Sequence, residues 1–269
     1  MERVGTIRAL WRYPVKSMAG ERQERLVVTE RGVLGDRAYA LVDRATGNLV
    51  SAKNPRKWQA VLACRARLER TPTLEEPLPP ALITLGDGTI VRTDAADAER
   101  RLSAALQREV TIACGGMARP RLEKYWPDLD KLARRNEVSN EEIMADSFFD
   151  GAPIHLLTTA SLATLTRLYP TGYFDARRFR PNIVVEPEAA QGFIENDWVG
   201  RTLALGPEVV LSIWRPTPRC VIVTLEQGEL PRDLGILRTA AQENKANVGV
   251  YATVLRGGTM REDDAVMLQ

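Results

Sequence analysis

The last third of the chain is a run of short apolar segments parted by turn residues. Residues 199–205, 209–214, 220–225, 248–255 and 265–268 each read as a strand with a turn on either side. Strands packed this closely, with few helices among them, favour a β-barrel-like C-terminal unit. The fold class expected is therefore α+β and β-rich. No internal repeat and no low-complexity segment argues for a solenoid or a linker.

The first half carries the same signature more thinly. Residues 4–13 are rich in β-formers and stop at Pro14, so a strand runs into the turn PVKSMAG. GDR at 35–37 precedes an apolar strand at 38–42. Residues 59–69 alternate, with Leu62, Cys64, Ala66 and Leu68 on one face, which makes Cys64 a core residue; residues 82–92 form a hairpin around Gly86, Asp87 and Gly88. Asp94 is placed to cap a helix over 95–107, and Cys114 shares a face with Val110 and Ile112, which reads as buried. From 115 to 140 both charges crowd together without apolar rhythm, as in a solvated connector or a surface helix. A strand at 154–158 then leads into a helix at 159–168, capped by Thr158 or Thr159 and stopped by Pro170.

In 269 residues, 37 Lys plus Arg stand against 35 Asp plus Glu, a balance that argues against a nucleic-acid partner. Three widely spaced cysteines make no disulfide framework and suit a reducing cytoplasm. No stretch has the apolar length of a signal peptide core or a membrane span.

Chemistry concentrates at a few positions. Cys220 leaves a turn studded with Pro216 and Pro218 and enters a strand, flanked by Arg215 and Arg219; nearby guanidinium charge favours a thiolate, the form that binds soft metals. A packed, inert cysteine is the other reading. Lys16 beside Ser17 on a tight loop can hold a phosphate, or be simply solvated. Arg37 can meet an anion or pair with Asp36. Arg180 and Asn182 can grip a planar heterocycle or a phosphate, or Arg180 can pair with Asp175 or Glu186. Asp150 is an ordinary turn aspartate or a carboxylate aimed into a site. His155, the single histidine, sits inside an apolar run and reads as a hydrogen-bonded core residue.

Taken in order, YPVKS, GDRAY, RFRPNIVV, RCVIVT and NVGVYATVLRGGTM resemble the MOSC domain, named for the C-terminal part of molybdenum-cofactor sulfurase, together with its N-terminal β-barrel domain. The pairing is similar to the mitochondrial amidoxime-reducing component and to bacterial YcbX-type proteins. The resemblance implies an N-terminal MOSC β-barrel domain over 1–120, a charged connector over 121–145, and a MOSC β-barrel with flanking helices over 146–269. It implies Cys220 as the protein ligand to molybdenum, and Lys16, Ser17 and Arg37 as the grip on the phosphate of the molybdopterin. Arg180, Asn182 and Arg219 are implied as further cofactor contacts, with Asp150 lining the reacting pocket. The sequence departs from the amidoxime reducers in having Pro218 before the Arg-Cys pair, and Gly151 and Ala152 after the pocket aspartate.

The activity implied is reduction of N-hydroxylated compounds, amidoximes or hydroxylamino bases, by a two-electron oxygen removal. Electrons would come from a separate flavin, ferredoxin or b-type cytochrome partner, since the residues up to Gln269 hold no four-cysteine cluster. Two rival expectations stand beside it: a carrier of the cofactor, or of sulfur on Cys220, without turnover; and a metal-free barrel for a phosphorylated ligand.

Overall fold

The computed structural model describes residues 1–126, 128, 134–188 and 191–269. Seven strands close into a barrel. Going round, Ile183–Pro187 runs parallel to Ile154–Thr158, which pairs with Asn247–Arg256, then Val209–Pro218, Thr202–Leu205, Ala265–Leu268 and Glu2–Arg12, and the last returns to Ile183–Pro187. The β-rich, barrel-centred class expected from the strand spacing is the one observed.

The first strand of the chain is thus a stave of the second half's barrel. Its pattern shows how it fits. Ile7 and Leu10 are both fully buried inside, although three residues apart, because the register slips between Ile7 and Ala9 and the extra Arg8 bulges outward to solvent. At Gly5 an added Cβ would lie 2.5 Å from the Glu186 carbonyl, so only glycine lets these two strands approach. A second link across the halves pairs Gly258–Arg261 with Arg25–Thr29. Hydrogen bonding therefore crosses the division that composition drew at 121–145. The barrel interior is plain hydrocarbon: Leu156, Ile183, Val185, Leu203, Leu211, Ile213 and Val250 are all fully buried.

The rest of the first half packs two small sheets, Tyr39–Asp43 with Val110–Cys114 and Arg65–Leu68 with Ala81–Thr84 and Ile90–Arg92, around the helix Ala98–Leu106. Its core includes Val15, Met18, Leu41, Trp58, Ile83 and Leu102, and it also takes in Val221, Ile222 and Leu225 from the far end of the chain. Val223 joins a third core, beneath the helices Thr159–Leu168 and Gly235–Asn244. Residues 221–225 are thus wedged between the two halves.

Several local expectations need correcting. Residues 220–225 are not a strand: the strand ends at Pro218, and Val221–Thr224 is a 3-10 turn whose apolar residues are claimed by two different cores rather than one sheet face. Asp94 does not cap the helix; it binds Arg92 instead, and the helix starts later, at Ala98. Cys114 is exposed, because it ends its strand where no layer covers it. The charged stretch is neither open connector nor helix where described: Arg121–Trp126 and Glu137–Glu142 pair antiparallel, with cross-strand Lys124 and Glu141 close enough for an ion pair at 3.7 Å, while 127 and 129–133 lie outside the described residues. Thr158 does cap its helix, its hydroxyl accepting from the Ser161 N–H at 3.2 Å, and Cys64 is buried. No helix among the described residues is long and apolar enough to cross a membrane.

Candidate functional site

Cys220 is held where three structural units meet. Pro216 and Pro218 lie within the strand Val209–Pro218, opposite Val250 and Asn247, with register shifts around them that accommodate their missing N–H groups. The Arg219 N–H then donates to the Ala246 carbonyl at 2.7 Å, and Cys220 follows in extended backbone as the residue before the 3-10 turn. With Val221 and Ile222 anchored in the N-terminal core, the sulfur is fixed at the barrel rim, half-buried and facing the seam.

At that seam lies a cavity of about 290 Å³. Its wall contains Cys220 with Arg37, Lys53 and Lys124 from the first half of the chain, and Arg178, Arg180, Arg215 and Arg219 from the second. Among the described residues seven cations thus face two carboxylates, Asp150 and Glu141. A cavity lined this way is built for a polyanion. Cys220 is within electrostatic reach of Lys53, Lys124 and Arg219. Among the described residues no three His, Cys, Asp or Glu side chains converge as a metal site, so a metal on this sulfur would take its remaining ligands from a bound molecule.

A small chamber of about 20 Å³ adjoins the cavity, sharing Arg37, Asp150, Arg180 and Ile222 with it and adding Lys16, Ser17 and Phe148. Lys16 is buried; its Nζ donates to Asp150 Oδ1 at 2.6 Å and to the Phe148 carbonyl at 2.8 Å. Burial, only partly offset by Asp150, brings the ammonium down to about 8. Lys53 shares the same carboxylate at 3.0 Å; burial works against its charge too, but Asp150 and Cys220 outweigh it and the net shift is upward. Against its own desolvation, Asp150 is held well below the usual carboxylate range by the two lysines. Ser17, at positive φ, accepts the Ala52 N–H through its hydroxyl oxygen and keeps its own proton to give. The guanidinium carbons of Arg37 and Arg180 lie 4.4 Å and 4.5 Å from the ring centre of buried Tyr13, a shared aromatic surface that tolerates two like charges side by side. Arg37 does pair with Asp36, as the local reading expected, and Arg180, crowded by burial and by Arg37, falls to about 10.

Two family descriptions match this chain: the MOSC N-terminal beta barrel domain over residues 4–75 and the MOSC domain over residues 145–267. The chain belongs to the MOSC-domain family. Among solved structures, the YUAD protein from Bacillus subtilis is similar over 98% of this chain and 95% of its own, at TM-score 0.49 and 9% identity. YiiM from Geobacillus stearothermophilus and YiiM from Escherichia coli are each similar over 44% of this chain and 54% of theirs, at TM-score 0.34 and with 16% and 17% identity. No curated protein matches. The MOSC domain is associated with binding of the molybdenum cofactor.

The residues of this MOSC protein fit such a group: one soft sulfur, a cationic cavity of small-molecule size, and a side chamber walled by a lysine, a serine hydroxyl and two arginines. Of the positions singled out by sequence, Lys16, Ser17, Arg37, Asp150, Arg180 and Cys220 are brought together here from distant parts of the chain. Asn182 and Arg219 reach the same wall with most of their polar atoms already committed. The Asn182 carboxamide accepts the His155 N–H at 3.1 Å and donates to the Trp11 carbonyl at 3.3 Å, tying three staves together. Arg219 donates to the carbonyls of Val248 and Phe179 and touches His155 Nε2, so its guanidinium braces the wall. His155 is buried as expected, and burial with Arg219 keeps it neutral, well below its ordinary value.

Sequence reasoning missed Lys53, Lys124, Arg178 and Tyr251. Lys53 and Lys124 come from a turn and from the charged stretch, where neither period nor motif singles out one lysine. Arg178 is fully buried and donates to the carbonyls of Tyr173, Val223, Leu225 and Pro231, a clamp around the Cys220 turn; two flanking arginines hide it in the sequence. Tyr251 lies in a strand whose pattern reads only as barrel.

Proposed function

We propose that this protein is a molybdenum-cofactor-dependent reductase of N-hydroxylated compounds. The observation that carries the reading is the half-buried Cys220 sulfur on the wall of a cavity where seven cations outnumber two carboxylates. Cys220 would hold the metal. Lys16, Ser17, Arg37 and Arg180 would hold the phosphate of the organic carrier where the side chamber meets the main cavity, and Lys53 would add charge beside the sulfur. When bound, the cofactor supplies a two-electron centre: an N-hydroxy group takes two electrons and two protons, its N–O bond breaks, and amine or amidine and water leave.

The chain's own part is to orient and to regulate charge. Asp150 is a carboxylate at neutral pH, so it serves as the shared counter-ion that aims Lys16 and Lys53 rather than as a proton donor. In the side chamber the Lys16 ammonium, lowered to about 8 by burial, is poised to change its charge not far above neutrality. Arg178, Arg219 and Asn182 spend their donors on backbone carbonyls and keep the sulfur's turn and the wall rigid. Electrons would come from an electron-transfer partner, which we propose is a flavin, ferredoxin or b-type cytochrome protein.

Protein made in a host that synthesises molybdopterin is the material for the test. With a reduced viologen dye and an aromatic amidoxime it is expected to oxidise the dye and release the amidine in matching amounts. Cofactor-loaded protein that oxidises no dye with any N-hydroxy compound contradicts the reading.

A further inference from the structure

Six of the seven cavity cations have partners. Arg37 has Asp36, Lys53 has Asp150 and Lys124 has Glu141, while Arg178, Arg180 and Arg219 donate to backbone carbonyls. Arg215 has none. Among the described residues nothing accepts a hydrogen bond from it, and its Nε is buried without an acceptor. A buried N–H left in this state costs free energy, so a donor of this kind marks a place where a partner is missing.

The guanidinium is nevertheless held in place. Its carbon lies 4.2 Å from the Trp214 ring centre and 5.3 Å from that of Tyr251, so two aromatic rings stabilise the cation without using its N–H groups in conventional hydrogen bonds. Gly151 makes room for it: an added Cβ there would lie 2.9 Å from both Arg215 Nη2 and Tyr251 Cε2. Arg215 lines the main cavity but not the side chamber around Lys16, so it faces the part of the site away from the phosphate grip.

We propose that Arg215 is the substrate clamp of this site, taking a carboxylate on the molecule to be reduced. The assignment rests on the reductase reading for the word substrate, and on geometry for the clamp. A planar, pre-oriented guanidinium with free in-plane donors matches a carboxylate in two parallel hydrogen bonds. Trp214, 45% exposed and next to the guanidinium, favours a ligand with a flat apolar body behind its carboxylate.

Benzoate is the probe. By titration calorimetry, wild-type protein is expected to bind one benzoate and to discriminate against benzamide, its neutral counterpart. Arg215→Met should weaken benzoate at least tenfold, and Arg215→Lys, which keeps the charge but not the fork, should fall between. In turnover, the preference for an amidoxime bearing a distal carboxylate over its uncharged parent, expressed as a ratio of kcat/KM, should drop by a similar factor in Arg215→Met. Molybdenum content and thermal melts are taken on each variant. Equal benzoate affinity in wild type and Arg215→Met overturns the clamp, as does loss of molybdenum from Arg215→Met with the substrate ratio unmoved, which would put Arg215 in the cofactor cradle. The binding arm needs no turnover: benzoate held through Arg215 in a protein that reduces nothing leaves the clamp standing as a carboxylate site and sinks only the reductase reading.

Discussion

The barrel interior and the cavity at its rim are built by the same strands on opposite principles. Inside, Leu156, Ile183, Leu211 and Val250 gain from losing water, and any set of side chains of similar volume would do nearly as well. At the rim, Lys16, Arg180 and Arg219 are pressed below their ordinary values by burial, so the fold stabilises a site it would be cheaper not to have. The inside is chosen for stability and the rim against it. That contrast is the signature of a binding site, where an incoming polyanion recovers what desolvation costs.

The contrast can be broken most forcefully from the inside. Leu211→Ala leaves a cavity among fully buried neighbours and should cost about 2–5 kcal/mol in urea unfolding. The molybdenum content per folded chain should not change. A variant that loses metal in proportion to stability would show that interior and rim are one unit.

A smaller effect sharpens the rim. Lys16 falls from 10.5 in the unfolded chain to about 8 in the fold, so between these values the unfolded state holds more protons and stability rises with pH. Anion binding has the opposite sign: it needs the ammonium, which is present below about pH 8 and lost above it. Affinity for a phosphate-bearing ligand should decline by up to about thirtyfold from pH 7 to pH 9.5, with proton uptake on binding at the upper end. Lys16→Met should bind more weakly at pH 7 and lose this dependence. A steeper slope in the variant than in wild type would place the titrating group elsewhere.

The smallest change expected is at Gly151. Gly151→Ala brings a methyl to 2.9 Å from the end of the Arg215 side chain and from the Tyr251 ring edge, so a neighbour must shift and stability should fall by about 1 kcal/mol. Benzoate affinity should weaken severalfold because the guanidinium moves. Unchanged affinity would mean that Gly151 does not set the position of Arg215.

These differences also explain what the sequence could say. The strands, the Thr158 cap and the buried face of Leu62, Cys64, Ala66 and Leu68 were legible because periodicity and capping are local. Lys16, Arg37, Arg180 and Cys220 stood out because each sits in a short stretch whose turn residues and charges have a recognisable order. The first strand's place in the second half's barrel was not legible, since register is fixed by partners more than a hundred residues away. Nor was the misread of 220–225: an apolar run claimed by two cores looks like a strand until both cores are known. Cys114 misled for the same reason, because alternation reveals a face but not whether anything covers its end.

The central claim is that one sulfur, Cys220, anchors a metal in a cavity that grips the metal's organic carrier. Elemental analysis of wild-type protein and of Cys220→Ser, both purified from a host that makes molybdopterin, addresses it directly. The account predicts about one molybdenum per wild-type chain and almost none in the variant, with coincident thermal melts. Metal-free wild-type protein, or equal molybdenum in both, would contradict it.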